Sequence, residues 1–465
     1  MLSAVSFPLY RPSVTQSLSR IAYTVLVTLI WLVAIVRWCL LGLVRSVKFE
    51  TKRAQRYGVL GDLSDAQTGG VLFHCVSVGE VVAASCVIKG LLEKEPNLSI
   101  VITTTTATGA QRVLDIFGVS PSTTLPGKSS ASTPVTLPKN LAHHYLPYDL
   151  PWLMARLLKH VQPKLVCITE VELWPNLLAK CAQRQLPVCV VNARMTDKSA
   201  RSYRKISGLF TPMLQQVTKV CAQGQRDADA YLRLGLAPEK LVLTHNVKFD
   251  QVSDVAVPET IRQLSNSVKA LGKQVLIAGS THQSEETFWI EVFKQLQADF
   301  PQVLLIIVPR HPQRFAQVES EIQASGLAYI KWAERDKLDA QTQVLLVDAM
   351  GVLTPLYHSA DIAFVGGSIA DKGGHNALEP ASMAVPVIMG THTYNNPVIC
   401  DTLIKAGGLS IVADTAGALQ LCQEWLSDPE LAKNAGQCGQ AVIIENQGAL
   451  ARTLAQIWDV YPTSS

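Results

Sequence analysis

The chain has 465 residues, more than one hydrophobic core accommodates, so two domains behind an N-terminal segment is the natural arrangement. With 48% hydrophobic and 17% charged residues it leans toward a membrane-associated globular enzyme, and a dispersed net charge of +4 argues against a nucleic-acid partner. Ten scattered cysteines, with no CxxC pair and no Cys/His cluster at metal-ligand spacing, read as buried thiols in a reducing compartment and point to no metal.

Residues 21–36 carry no charge, and residues 38–44 continue the apolar run beyond Arg37. As one segment it can span the hydrocarbon layer if Arg37 snorkels to the interface; alternatively it lies along the membrane surface. No small-residue cleavage site is evident, so an anchor fits better than a removable signal. Arg37, Arg45, Lys48, Lys52, Arg53 and Arg56 follow the run, against Arg11 and Arg20 before it, which by the positive-inside rule leaves the body of the protein in the cytoplasm.

The first globular half opens with the strand VLFHCVSV, then Gly79, Glu80 and an apolar helix. LSIVITTT is a second strand leading to Thr105 and another helical stretch, a rhythm that signals a parallel sheet. Residues 119–140 are rich in Ser, Thr and Pro without a period and read as a disordered surface loop. KLVCITE ends on Glu170, PVCVVNARM carries Asn192 and Arg194 at its end, KVCAQG is a further strand, and LVLTHNVKFD ends on Lys248 and Asp250. Ligands of open parallel sheets bind at the carboxyl ends of strands, where Glu80, Thr105, Glu170, Asn192 and Lys248 all fall. A basic segment (Lys198, Arg201, Arg204, Lys205) is either a solvated face or a receiver of phosphates.

After a polar link the pattern restarts with QVLIAGSTH, then VLLIIVPRHPQRF running into Arg310 and His311, then QVLLVDAMG with Asp348 and Gly351. DIAFVGG empties into Gly366, Gly367, Gly373 and Gly374; Asn376 stands three residues before Glu379, and VPVIMG supplies the next strand. Strand, glycine loop and helix start together make an anion-receiving corner, in which free N–H groups and the helix dipole point at one spot and Glu379 accepts from ribose hydroxyls. An ordinary turn with a capping box accounts for the same residues. The terminal helix is apolar enough to pack against a neighbour, the first domain being one candidate.

Two Rossmann-like halves with no GxGxxG after the first strand disfavour an ordinary NAD enzyme. They favour an α/β fold of the GT-B glycosyltransferase architecture: an N-terminal membrane anchor (1–48), an acceptor-binding domain (49–255) and a nucleotide-sugar-binding domain (256–465), the two domains facing a central cleft.

VSVGE at 76–80, TEVELWPN at 169–176, NARMTDKS at 192–199, NVKFD at 246–250, AGSTH at 278–282, VPRHPQRF at 308–315 and HNALEP at 375–380 occur in order. Together they resemble the 3-deoxy-D-manno-octulosonic acid (Kdo) transferases over nearly the whole chain, with residues 119–140 longer than the family leads one to expect. The resemblance implies an inverting transfer of Kdo from CMP-Kdo to the lipid A precursor, without cofactor or catalytic metal, at the cytoplasmic side of the inner membrane. It implies Glu80 as general base and Glu170 and Lys248 as transition-state stabilisers. Pro309, Arg310, Met350, Gly351, Val352, Asn376, Ala377, Leu378 and Glu379 would bind CMP. The plainer readings are a helix N-terminal carboxylate at Glu80, ionised beside the dipole, and a structural ion pair between Glu170 and Lys248. Three alternatives stay open: a GT-B nucleotide-sugar epimerase or hydrolase, another membrane-associated lipid-linked glycosyltransferase, and a non-enzymatic membrane scaffold with a degenerate site.

Overall fold

The strands of this protein are short runs of Val, Ile, Leu and Cys with little alternation, which suits sheets covered on both faces. A computed structural model describes residues 14–44, 51–119, 136–252 and 256–462. It holds two parallel seven-stranded sheets. The first is made of β1 (Val71–His74), β2 (Ile100–Thr104), β3 (Leu141–Tyr145), β4 (Leu165–Thr169), β5 (Val188–Ala193), β6 (Lys219–Ala222) and β7 (Leu241–Leu243). The second is made of β8 (Gln274–Thr281), β9 (Val303–Pro309), β10 (Tyr329–Lys331), β11 (Val344–Leu346), β12 (Ile362–Val365), β13 (Val387–Met389) and β14 (Leu409–Ile411).

The spatial orders are β3-β2-β1-β4-β5-β6-β7 and β10-β11-β9-β8-β12-β13-β14. Both are Rossmann-like, and in each the direction of winding reverses once, between β1 and β4 and between β8 and β12. Such a reversal opens a crevice beyond the carboxyl ends of the two central strands. These are the paired Rossmann-like units from which GT-B enzymes are built. Strands β3, β10 and β14 were not anticipated from sequence: β3 reads LAHHY and the other two are three-residue edge strands, so none shows a long apolar run.

The chain divides into two compact units, Met1–Lys248 with Gly448–Ser465, and Phe249–Gln447. The terminal helix, Ala449–Val460, closes the core of the first unit with Ala449, Ile457 and Val460. It lies close on helix Val78–Lys94 because Gly90 has no side chain: a Cβ there would stand 2.6 Å from a Leu454 methyl.

The N-terminal apolar run forms one continuous helix, Val14–Val44. One stripe of it packs on the first unit: Val27 and Trp31 meet its core, Trp31 sets its ring edge-to-face on Trp152, and Asn176 Nδ2 donates to Thr24 Oγ1 at 3.1 Å. The opposite stripe, including Leu18, Ile21, Val25, Leu29, Val33 and Val36, is more than half exposed.

Of the loop expected at 119–140, residues 120–135 lie outside the described residues. Its flanks pair: Val119 N donates to Thr136 O at 2.7 Å, and Thr136 N returns a bond to Val119 O at 3.2 Å. Because the ends already meet and closure entropy changes slowly with length, replacing residues 120–135 by a four-residue Gly/Ser link should shift the melting temperature by no more than a few degrees. A drop of ten degrees or more would show that the segment packs.

Candidate functional site

At the winding reversal of the first sheet, the turn after β1 leads into helix Val78–Lys94, whose third residue is Glu80. The helix N-terminus leaves N–H groups without intrahelical acceptors, and the Glu80 side chain folds back into this region. Its Oε2 accepts from Val76 N at 2.7 Å and its Oε1 from Ser77 Oγ at 2.8 Å. Only 6% of the residue is exposed. Burial pushes its pKa up to about 7; the bonds from Val76 and Ser77 oppose this shift, while the charges of Glu170 and Glu172 add to it. This corrects the expectation of a carboxylate kept ionised by the helix dipole. Burial outweighs the dipole, and the group is poised to take or give a proton near neutrality, as a general base requires.

On the other side of the same reversal, β4 ends and Glu170 follows with φ 59°, a left-handed conformation that non-glycine residues seldom hold. Its N–H donates to Val191 O at 3.0 Å, and its carbonyl accepts from Tyr231 Oη at 3.3 Å. The turn beyond is fixed by Trp174, whose indole N–H donates to Nε2 of the fully buried His74 at 3.0 Å. Burial lowers the His74 pKa to about 4, so the ring is neutral, and its Nδ1 proton is donated to Thr103 Oγ1 at 3.0 Å.

Asn192 at the end of β5 (φ 51°) and His245 just after β7 (φ 66°) are left-handed as well. Backbone strain therefore gathers at the carboxyl edge of this sheet, as it does at sites under a positional demand. Asn192 Oδ1 accepts from Val247 N at 3.2 Å, while its Nδ2 is a buried donor with no partner among the described residues. The next residue, Lys248, joins the carboxylates. Burial lowers its pKa, opposed by Glu170 and Glu80 and reinforced by Arg194. Glu80, Glu170 and Lys248 thus form one electrostatic cluster, with Glu172 and Arg194 beside them.

In the second unit, the reversal between β8 and β12 is spanned by a carboxylate that sequence reading missed. Glu285, fully buried, accepts from His282 N (2.9 Å) and Gly367 N (2.9 Å) through Oε2. Through Oε1 it accepts from Ser368 N (3.1 Å), Ile369 N (2.9 Å) and Ala370 N (3.2 Å). The anticipated corner is corrected in two respects. The loop N–H groups turn inward to Glu285 instead of facing a ligand, and the helix that follows, Leu378–Ser382, has only five residues and so a slight dipole. The available signal was Glu285 and Glu286 side by side at the start of the helix after β8, since a glycine loop full of N–H groups needs a buried acceptor.

What remains open to a ligand is a set of side chains. Just before the short helix, Asn376 Oδ1 accepts from Leu378 N at 3.2 Å, and its Nδ2 donates to Glu379 Oε1 at 3.2 Å. Glu379 Oε2 accepts from Thr354 Oγ1 at 2.8 Å, which ties residues 376–379 to the turn at Met350, Gly351 and Val352, where Gly351 has φ 81°. Ala377 and Leu378 are buried beneath them. Pro309 closes β9 as a buried residue, and Arg310 follows it exposed, its N–H donating to Thr281 O at 3.0 Å. Between Arg310 and Asn376 stand stacked imidazoles that sequence reading did not connect: His282 Nε2 lies 2.8 Å from His375 Nε2, and His311 meets His282 edge-on. Burial, then His282, Arg310 and His311, push the His375 pKa down to about 4.

The chain is similar to known proteins along most of its length. The family model described as 3-deoxy-D-manno-octulosonic-acid transferase (kdotransferase) matches residues 51–251. A 3-deoxy-D-manno-octulosonic acid transferase of Haemophilus influenzae is 37% identical over 422 residues, covering 90% of this chain and 93% of the relative. One from Bordetella pertussis is 31% identical over 418 residues, covering 89% and 92%. Among solved structures, the C-terminal CMP-Kdo binding domain of an Acinetobacter baumannii protein is 28% identical with a TM-score of 0.33, covering 44% of this chain and 98% of its own. With identity at this level along nearly its full length, the chain belongs to the 3-deoxy-D-manno-octulosonic acid transferases, a family of glycosyltransferases.

Proposed function

We propose that this protein transfers Kdo from CMP-Kdo to a hydroxyl of the lipid A precursor, lipid IVA, in lipopolysaccharide biosynthesis, with inversion at the anomeric carbon. The observation that carries the mechanism is Glu80, a buried carboxylate at a sheet reversal with its pKa near 7. Glu80 takes the proton of the acceptor hydroxyl as its oxygen attacks the anomeric carbon, and the bond from that carbon to the CMP phosphate breaks. Lys248 and Glu170 stabilise the charge that shifts during this step. Arg310 offers a guanidinium to the leaving phosphate, which keeps the electron pair. Glu379 and Asn376 hold the ribose, and the backbone at Met350, Gly351 and Val352 lies against the cytosine, above Pro309, Ala377 and Leu378.

The exposed apolar stripe of helix Val14–Val44 supports attachment to the inner membrane, and the arginines and lysines of residues 37–56 suit its anionic cytoplasmic face. A stripe packed on a polar protein body favours a helix lying along the membrane surface over one crossing it. The basic face made by Lys198, Arg201, Arg204 and Lys205, all exposed, is suited to acceptor phosphates.

Glu80→Gln keeps the shape but accepts no proton, so the single-turnover rate should fall about 10²–10⁴-fold while CMP affinity stays within twofold. The parent's rate should rise with pH through an ionisation near 7 that is absent in the variant; a variant within a few fold of the parent would pass the role to Glu170. Stability gives an independent reading. A raised folded-state pKa favours the fold below the ordinary value of 4.5, and that contribution is lost as pH rises through about 7. At 1.36 kcal/mol per unit this is about 3 kcal/mol, so Glu80→Gln should gain on the parent in melting temperature between pH 5 and pH 8.

Glu379→Ala and Arg310→Ala should each weaken CMP binding roughly ten- to a hundredfold, the cost of about 1.5–3 kcal/mol for one charge-assisted hydrogen bond. Parent-like calorimetric affinity in both variants would move the nucleotide elsewhere.

Replacing Leu26, Ile30 and Val33, all about half exposed or more, by glutamate leaves the packed stripe intact. The triple variant should leave the membrane fraction with its melting temperature unchanged. Full retention on membranes in high salt would require another attachment surface.

A further inference from the structure

We infer that Glu285 is a positioning residue for the donor nucleotide, holding the separate CMP-contacting segments in register through backbone N–H groups and touching no substrate itself. The inference rests on the reading of residues 309–310, 350–352 and 376–379 as the CMP site.

Glu285 stands at the start of the helix after β8, and its two oxygens accept five backbone N–H groups from two different strand exits. One donor, His282 N, belongs to the end of β8. There Thr281 O receives the Arg310 N–H at 3.0 Å, so the start of the arginine is referenced to the same turn. The other four donors, residues 367–370, belong to the loop that leaves β12. That loop returns on itself, Gly374 N donating to Gly367 O at 2.8 Å and His375 N to Gly366 O at 3.0 Å. The chain then delivers Asn376 and, three residues later, Glu379. Through Thr354 Oγ1, Glu379 fixes the third segment. A single side chain thus sets the position of all three.

Three features show that the fit is tight. Gly366 admits no side chain, since a Cβ there would collide with Ser280 O and stand 2.9 Å from Glu285 Oε2. Ser368 Oγ pins the loop from its other side, donating to Val365 O at 2.6 Å and accepting from Gly390 N at 2.9 Å. The 2.8 Å contact between His282 and His375 joins the two exits that Glu285 bridges, so that spacing too depends on the carboxylate. A glutamine in its place offers one acceptor oxygen and turns an N–H₂ donor toward N–H donors, which forces part of the loop away.

The neighbouring Glu286 supplies the control. It is equally buried but bonds Arg314 (2.6 and 3.1 Å) and Thr281 Oγ1 (2.8 Å), and accepts nothing from residues 366–370. Full-length Glu285→Gln, Glu285→Asp and Glu286→Gln are compared with the parent by CMP calorimetry, by donor and acceptor KM with kcat, and by melting temperature. Glu285→Gln should bind CMP at least tenfold more weakly and raise the donor KM by a similar factor, with acceptor KM unchanged and kcat at saturating donor within about threefold. Glu285→Asp, which keeps the charge but retracts it by one methylene, should fall between it and the parent. Glu286→Gln should lower the melting temperature and leave CMP affinity alone. Parent-like CMP affinity in folded Glu285→Gln would overturn the inference alone, as would failure of both Glu285 variants to fold, since the carboxylate would then serve the core. Absence of CMP binding by the parent would overturn the nucleotide reading and this inference with it.

Discussion

Buried carboxylates that accept backbone N–H groups where strands give way to helices hold the working parts of this protein in place. Glu80 takes Val76 N, Asp149 takes Asn176 N and Leu177 N, Asp227 takes Met195 N, and Glu285 takes five such groups. A parallel sheet covered on both faces confines its polar chemistry to the strand ends, and N–H groups there need acceptors that water does not supply. A carboxylate serves several at once, and removing it would leave each donor buried and unpaired at a cost of about 1–3 kcal/mol per group. The same device yields opposite chemistry in the two units. Buried, with only Val76 N and Ser77 Oγ to oppose the effect and two other glutamates adding to it, Glu80 has its pKa pushed up to about 7. With its acceptor capacity taken up by loop N–H groups, Glu285 is structural material.

Much of this was legible in the residue order. Apolar runs gave the central strands, and the carboxyl-end rule singled out Glu80, Thr105, Glu170, Asn192 and Lys248, all of which lie along the carboxyl edge of the first sheet. The HNALEP stretch was legible in its contacts, since the bond from Asn376 to Glu379 is the i to i+3 pairing its spacing suggests. What sequence did not carry was the third dimension of the N–H accounting. The glycines between 366 and 374 advertise bare backbone but do not say which way it faces, and it faces Glu285, some eighty residues earlier in the chain. Nor do residue types announce left-handed backbone at Glu170, held by Val191 O and Tyr231, or at His245, whose N–H donates to Ala222 O. The burial of Glu80, and with it the direction of its pKa, needed the packing of helix Val78–Lys94.

The N-terminal helix shows how composition alone can mislead about role. A run this apolar suggests lipid on all sides, yet one stripe turns polar and aromatic side chains to the protein, among them Thr24 to Asn176 and Trp31 to Trp152. Asn176 is itself held by Asp149. The helix is therefore coupled to the turn that follows Glu170 and Trp174, so its exposed apolar stripe and the strained edge of the first sheet belong to one packed unit.

The order in which the two units lie along the chain has a consequence for synthesis. The first unit is finished only by residues 448–465, so Ile457 and Val460 are missing from its core until the ribosome has made everything between Phe249 and Gln447. At about 5–20 residues per second, those 199 residues take roughly 10–40 s, during which the face beside Gly90 and Val87 stays uncovered. The first unit is begun first yet completed last, and a chain cut short by its final helix would leave that unit open.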